Sequence, residues 1–192
     1  MIQNNIDNTI IYHLSSNIKK GDKVLDIGCG NIQLMMSLSE IFKDIEYTGL
    51  DIDPSVISLM EKAIAEKNIS NNFHTILGSY HYGLRADYSV CISSRLFHHL
   101  KHSEAVKLIQ KMIYAVRRNG RLLIIDSIRD FNGRNDRFYY TPFFFINEVC
   151  NQNPAKIKFI YNMMDELLIG TYWLLVADVT EEENCFNLQI IK

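Results

Sequence analysis

The chain predicts a doubly wound, mostly parallel α/β sheet, and three observations carry that expectation. Apolar runs of strand length alternate with segments of helical periodicity across the first two thirds of the chain. The first run, Val24-Leu25-Asp26-Ile27, breaks into Gly28-Cys29-Gly30, a turn whose backbone N–H groups stay open to a ligand. Asp51 closes a second run, Tyr47-Thr48-Gly49-Leu50, at the distance one βαβ unit requires. An acid there can accept both hydroxyls of a ribose, so turn and acid together predict a nucleoside site.

Ile2, Ile6, Ile10, Leu14 and Ile18 recur at helical spacing and predict an amphipathic helix over residues 1–20. Gly21-Asp22 breaks it before a first strand, Lys23–Ile27. A helix carrying Leu34, Leu38, Ile41 and Phe42 starts near Asn31. Its N-terminus abuts the glycine turn, where free N–H groups and the helix dipole favour an anionic group. Asp53-Pro54 reads as an N-cap with proline at the first helical position, opening a helix to about Lys67. Phe73–Leu77 is the third strand, ended by Gly78; residues 79–86 read as a loop or short helix.

The fourth strand is Tyr88–Ser93. A helix from near Ser103 puts Val106, Ile109, Met112, Ile113 and Val116 on one face. Arg117-Arg118-Asn119-Gly120 ends it, with cations in the last turn and a left-handed-tolerant pair behind. Arg121–Asp126 is the fifth strand. In such a sheet Gly28, Asp51, Ser79, Ser93, Ser94 and Asp126 share the carboxyl edge of the strands, where ligands bind. Residues 131–161 are dense in aromatics, including Phe138-Tyr139-Tyr140 and Phe143-Phe144-Phe145. A helix from about Asn162 to Leu174 and an antiparallel pair, Leu175–Thr180 and Phe186–Ile191, are expected to complete the chain.

At 192 residues and 47% hydrophobic, the chain has the size of one domain, residues 1–192, with a substantial core. A formal charge of −2 supplies no global basic field for nucleic acid. The local clusters Arg117, Arg118, Arg121 and Arg129, Arg134, Arg137 could meet phosphate or simply solvate the surface. Four cysteines without a CxxC pair suit reduced thiols, not a disulfide framework or zinc site, and no metal is expected. The N-terminus has no basic stretch followed by an apolar one, and no apolar run nears the roughly 20 residues of a membrane helix. A soluble, cytoplasmic protein is the expectation.

The segments VLDIGCGN (24–31), GLDIDPSVI (49–57), YSVCISSRLFHHL (88–100) and NGRLLIIDS (119–127) stand in an order and spacing that resemble the class I S-adenosylmethionine-dependent methyltransferases. The resemblance covers about residues 20–127. It implies a seven-stranded sheet of Rossmann-like form whose last strand is antiparallel and inserted between strands five and six. It also implies S-adenosyl-L-methionine as cofactor. Gly28 and Gly30, with Cys29 between them, would line its methionine part, and Asp26 would anchor its ammonium group. Asp51 would hold the ribose, Ile52 would pack on the adenine face, and Ser79 with the Tyr80 N–H would meet the adenine edge. Ser93 would lie near the methionine moiety. The chain departs from the family pattern at Ile32, a glycine there, at Ser79, an acid there, and at Ser89, often Asp.

Methyl transfer is an in-line displacement at an activated sulfonium carbon, so proximity and alignment supply much of the catalysis. A base is needed only where the acceptor holds its proton. His98 and His99 are candidates for that role, or they cap and pack the following loop. Asp126 either contacts the acceptor or stabilises a turn; His81 and Tyr82 are further candidates. Residues 128–161 form a candidate substrate lid, with core packing as the alternative. The expected partner is a small-molecule acceptor. The alternatives are an RNA or protein acceptor, or a silent subunit that binds cofactor without turnover.

Overall fold

The apolar runs become five parallel strands in a computed structural model: β1 Lys23–Ile27, β2 Glu46–Asp51, β3 Phe73–Leu77, β4 Tyr88–Ser94 and β5 Val116–Ser127. The structure describes residues 2–30, 32–81, 84–127, 138–141, 144–145, 147–148, 157–163, 172–179 and 189–191. Helices α1 (Ile2–Ser15), α2 (Gln33–Ile41), α3 (Pro54–Lys67) and α4 (His102–Ala115) alternate with the strands, and a 3₁₀ turn, Phe97–His99, precedes α4. Three further strands follow: β6 Ile157–Met163, β7 Tyr172–Val179 and β8 Gln189–Ile191.

The sheet order is β3-β2-β1-β4-β5-β7-β6-β8. Strand order reverses between β1 and β4, which opens the crevice where such sheets bind ligands. Adjacent residues of each strand serve opposite cores, as expected for a sheet covered on both faces. Val24, Tyr47, Ile92, Leu123 and Ile125 pack with residues of α1, α2 and α3. Leu25, Leu50, Cys91, Leu122 and Ile124 pack with α4, Phe97 and Phe145.

Local chemistry sets the boundaries. The Asp53 carboxylate accepts the Ser55 N–H at 2.8 Å and its hydroxyl at 2.7 Å, and Pro54 fills the first helical position as the sequence predicts. Those bonds hold the Asp53 carboxyl below its ordinary value. Asn68 then ends α3 in the left-handed region at φ 54°. Before α4, the Glu104 carboxylate accepts the Lys101 N–H at 3.0 Å. The helix stops at Ala115, so Arg117 and Arg118 lie beyond its last turn rather than in it. Residues 116–120 instead form an irregularity at the start of β5, with Asn119 at φ 60°. A Cβ at Gly120 would meet the Ser89 carbonyl at 2.8 Å, so the bulge closes only on glycine.

The C-terminal part departs from the expectation. Residues 162–163 and 172–174 are strand, not the helix predicted over 162–174; residues 164–171 lie outside the described set. The strand foreseen at 175–180 is β7, starting three residues earlier, and the described part of the one foreseen at 186–191 is β8. These two do not pair with each other. β7 runs antiparallel between β5 and β6, while β8 lies parallel to β6 on its other side. The inserted antiparallel strand is therefore the feature the family resemblance implies, and the eighth strand is an addition to it. Opposite residues Arg121 and Asp178 fasten β5 to β7 at 2.6 Å, and the Arg121 guanidinium also reaches the Asn17 carbonyl below α1 at 3.3 Å. No helix among the described residues is long and apolar enough to cross a membrane.

Candidate functional site

A cavity of about 480 Å³ opens at the carboxyl ends of β1, β2, β3 and β4. Its polar floor is Asp26, Gly28, Cys29 and Gly30 from β1 and its turn, with Asp51 and Ile52 from β2. Ser79, Tyr80 and His81 follow β3 on one side; Ser94, Arg95, Leu96, His99 and Leu100 form the wall after β4. α1 contributes Ile10, Ile11 and Leu14, an apolar wall that motif spacing does not reveal.

The glycine turn is fixed by β2. The N–H groups of Gly28 and Cys29 both reach the Leu50 carbonyl, at 2.8 and 3.2 Å. The Asp51 carboxylate accepts the Gly30 N–H at 2.9 Å and the Asp53 N–H at 3.0 Å. Its oxygens keep lone pairs for a diol. Gly28 sits at φ 70°, and a Cβ there would lie 2.8 Å from Leu96 Cδ2. Gly28→Ala is thus expected to lose about 1–2 kcal/mol of stability from backbone conformation alone. It should also displace Leu96 from the cavity wall. Urea denaturation of the variant checks the first effect and its ligand affinity the second.

Asp26 is fully buried in β1, yet it lines the cavity. Its Oδ2 accepts the Tyr47 hydroxyl at 2.7 Å, while Oδ1 is buried with no hydrogen-bond partner among the described residues. Burial, opposed by the Tyr47 hydrogen bond and reinforced by the Asp51 charge, pushes its carboxyl up to about 7. Such an orphaned acceptor awaits a donor. Cys29 packs on the Met60 sulfur at 3.3 Å, and burial raises its thiol far above the ordinary range, so it shapes the floor without reacting. Ile52 is 72% exposed at the cavity edge, an uncovered apolar face.

The residues assigned after β4 and β5 separate. His99 lines the cavity; His98 and Asp126 do not. His98 Nδ1 pairs with Asp126 Oδ1 at 2.6 Å, and Asp126 also accepts the backbone N–H groups of His98 at 3.2 Å and Ser127 at 2.7 Å. Both side chains are almost fully buried. Their geometry ties the 97–99 turn to the end of β5. Ser93 is likewise buried behind the wall, and Ser94 takes the lining position. Of the candidate lid, Phe145 is buried edge-on against Phe97 with centroids at 4.6 Å. The Phe138 N–H donates to the His98 carbonyl and the Tyr140 hydroxyl to the Leu100 carbonyl, both at 2.8 Å. None of these described residues lines the cavity; residues 128–137, 142–143, 146 and 149–156 lie outside the described set, as does Tyr82.

Residues 18–166 match the model of a family described as a methyltransferase domain. Among solved structures, the [4+2]-cyclase SpnF superposes with a TM-score of 0.72 at 11% identity, over 90% of this chain and 80% of that one. Magnesium protoporphyrin IX methyltransferase ChlM from Synechocystis PCC 6803, with SAH bound, gives 0.72 at 15% identity, over 93% and 84%. The S-adenosylmethionine-dependent methyltransferase SibL gives 0.74 at 13% identity over 91% of this chain, which spans 55% of that one. At such identities these likenesses concern the fold. No curated protein matches the chain.

Proposed function

The chain belongs to the class I S-adenosylmethionine-dependent methyltransferases, and from that premise we propose that it methylates a small-molecule acceptor by in-line displacement. S-adenosylmethionine, when bound, supplies a methyl group on a sulfonium that needs no acid to leave. The observation that carries the reading is the pairing of Asp26 and Asp51 across the glycine turn in one cavity. The unpartnered Asp26 Oδ1 suits an ammonium group, and Asp51 suits a ribose diol. Gly28 and Gly30 keep side chains out of the space between them. Ile52 offers an apolar face to the adenine, and Ser79 with the Tyr80 N–H meets its edge. Cys29 contributes packing, and Ser93 supports Ser94 from behind.

Residues after β4 form the acceptor side. Leu96, Leu100 and the α1 isoleucines favour an apolar body, while Arg95 and His99 bring charge and a proton carrier. His99 is the residue placed to take an acceptor proton; His98 and Asp126 act behind it. A cavity of this size and wall chemistry fits a small molecule better than a polymer. The test is turnover: release of S-adenosylhomocysteine with a low-mass metabolite filtrate is expected. Turnover only with RNA or protein fractions would reassign the acceptor, and none with any fraction would make the chain a silent binder.

A further inference from the structure

Asp26 has a partner that the motif reading passed over. Tyr47 stands on β2, 1% exposed, and its ring stacks on Phe73 at 5.6 Å. The parallel register sets Asp26 beside Gly49, two residues along from Tyr47 and on the same face. The missing side chain at Gly49 leaves space that three neighbours share: a Cβ there would lie 2.7 Å from the Met60 methyl, 3.1 Å from Cys29 Sγ and 3.3 Å from Tyr47 Cε1. The hydroxyl therefore reaches Asp26 Oδ2 and leaves Oδ1 as the buried oxygen without a partner.

We propose that Tyr47 is the positioning residue for the amino end of the methyl donor, holding the Asp26 carboxyl with Oδ1 to the cavity, and that seating a cationic amino group there releases the proton Asp26 holds in the free protein. This rests on the donor reading given above. The balance is simple: below about pH 7 the free site holds neutral Asp26, the loaded site holds a carboxylate–ammonium pair, and one proton passes to solvent. The other groups acting on Asp26 agree with a proton in the free site. Asp51 adds like charge from β2, and the thiols of Cys29 and Cys91 are both pushed up by burial and stay neutral. Among the described side chains α1 presents Ile10, Ile11 and Leu14 to the cavity and α2 presents Gln33 and Leu34, none of them a cation. Arg95 is the fixed cation of the cavity, and it belongs to the wall after β4.

The experiment is titration of the full chain with S-adenosylhomocysteine from pH 6 to pH 8 in buffers of different ionisation enthalpy. With the Asp26 carboxyl at about 7, affinity should be about tenfold weaker at pH 6 than at pH 8, with close to one proton released at the lower pH. Asp26→Asn should bind weakly with no such slope. Tyr47→Phe keeps the ring and its stack on Phe73, so the core survives. It should weaken binding about tenfold at pH 8 and move the slope to higher pH, since a hydrogen bond to the carboxylate is lost. Carbon-13 titration of the Asp26 carboxyl in the free protein should show the same upward move. Equal affinity at pH 6 and pH 8, or a Tyr47→Phe profile matching wild type, overturns the proposal and leaves the donor reading standing. No binding at any pH overturns the donor reading and the proposal with it.

Discussion

Asp51→Ala is expected to weaken S-adenosylhomocysteine binding by about 100-fold or more, the largest loss from one side chain at the proposed donor site. Two hydrogen bonds from a ribose diol to a carboxylate contribute about 1.5–3 kcal/mol each, and both go with the side chain. The residue does a second job: its two oxygens hold the N–H groups of Gly30 and Asp53, which fixes the glycine turn to the end of β2. Asp51→Asn separates the two contributions. It keeps one acceptor oxygen and loses the charge, so a loss of about tenfold is expected. Calorimetry on both variants reads the difference, and equal binding by wild type and Asp51→Ala would remove the ribose assignment.

The second large effect falls on stability. Asp126→Ala should destabilise the fold by about 3–5 kcal/mol, because it strands the buried His98 imidazole and two backbone N–H groups that share its carboxylate. Urea unfolding measures this. The same variant decides between the two roles open to Asp126. Donor affinity of the folded protein should stay near wild type, since neither Asp126 nor His98 lines the cavity. A variant with wild-type stability and abolished turnover would instead place Asp126 at the acceptor.

The free protein should also respond to pH through Asp26. The unfolded chain releases that proton in the ordinary aspartate range, while the folded chain keeps it up to about pH 7. Across that window the folded state binds more protons than the unfolded one, so this residue's contribution falls as pH rises and levels off above about 7. Saturation with S-adenosylhomocysteine should cancel the fall, because the bound ammonium stabilises the carboxylate.

The parallel half of the fold was legible because its signals are local. A buried run, a glycine turn and the Asp53-Pro54 cap each specify their own backbone, and the first three strands fall where those residues put them. The cavity floor followed, because β1 and β2 are neighbours and the fold brings their ends together. What the sequence hid was set by packing between distant segments. β7 is defined by its place between β5 and β6, which no local period states. Tyr47 reads as one more apolar strand residue until the register places it near Asp26. His98 and His99 are adjacent in the chain, yet the 3₁₀ turn sends one to Asp126 and the other to the cavity. The α1 wall was invisible for the same reason: Ile10 and Leu14 look like an ordinary helix stripe.

The central claim is that Asp26 and Asp51 hold the two ends of one donor molecule across the glycine turn. A crystal structure with S-adenosylhomocysteine tests it most directly. The expected result is the amino group within hydrogen-bond distance of Asp26 Oδ1, the ribose diol on Asp51, and the adenine against Ile52. A molecule bound elsewhere, or a cavity left without it at saturating concentration, would contradict it.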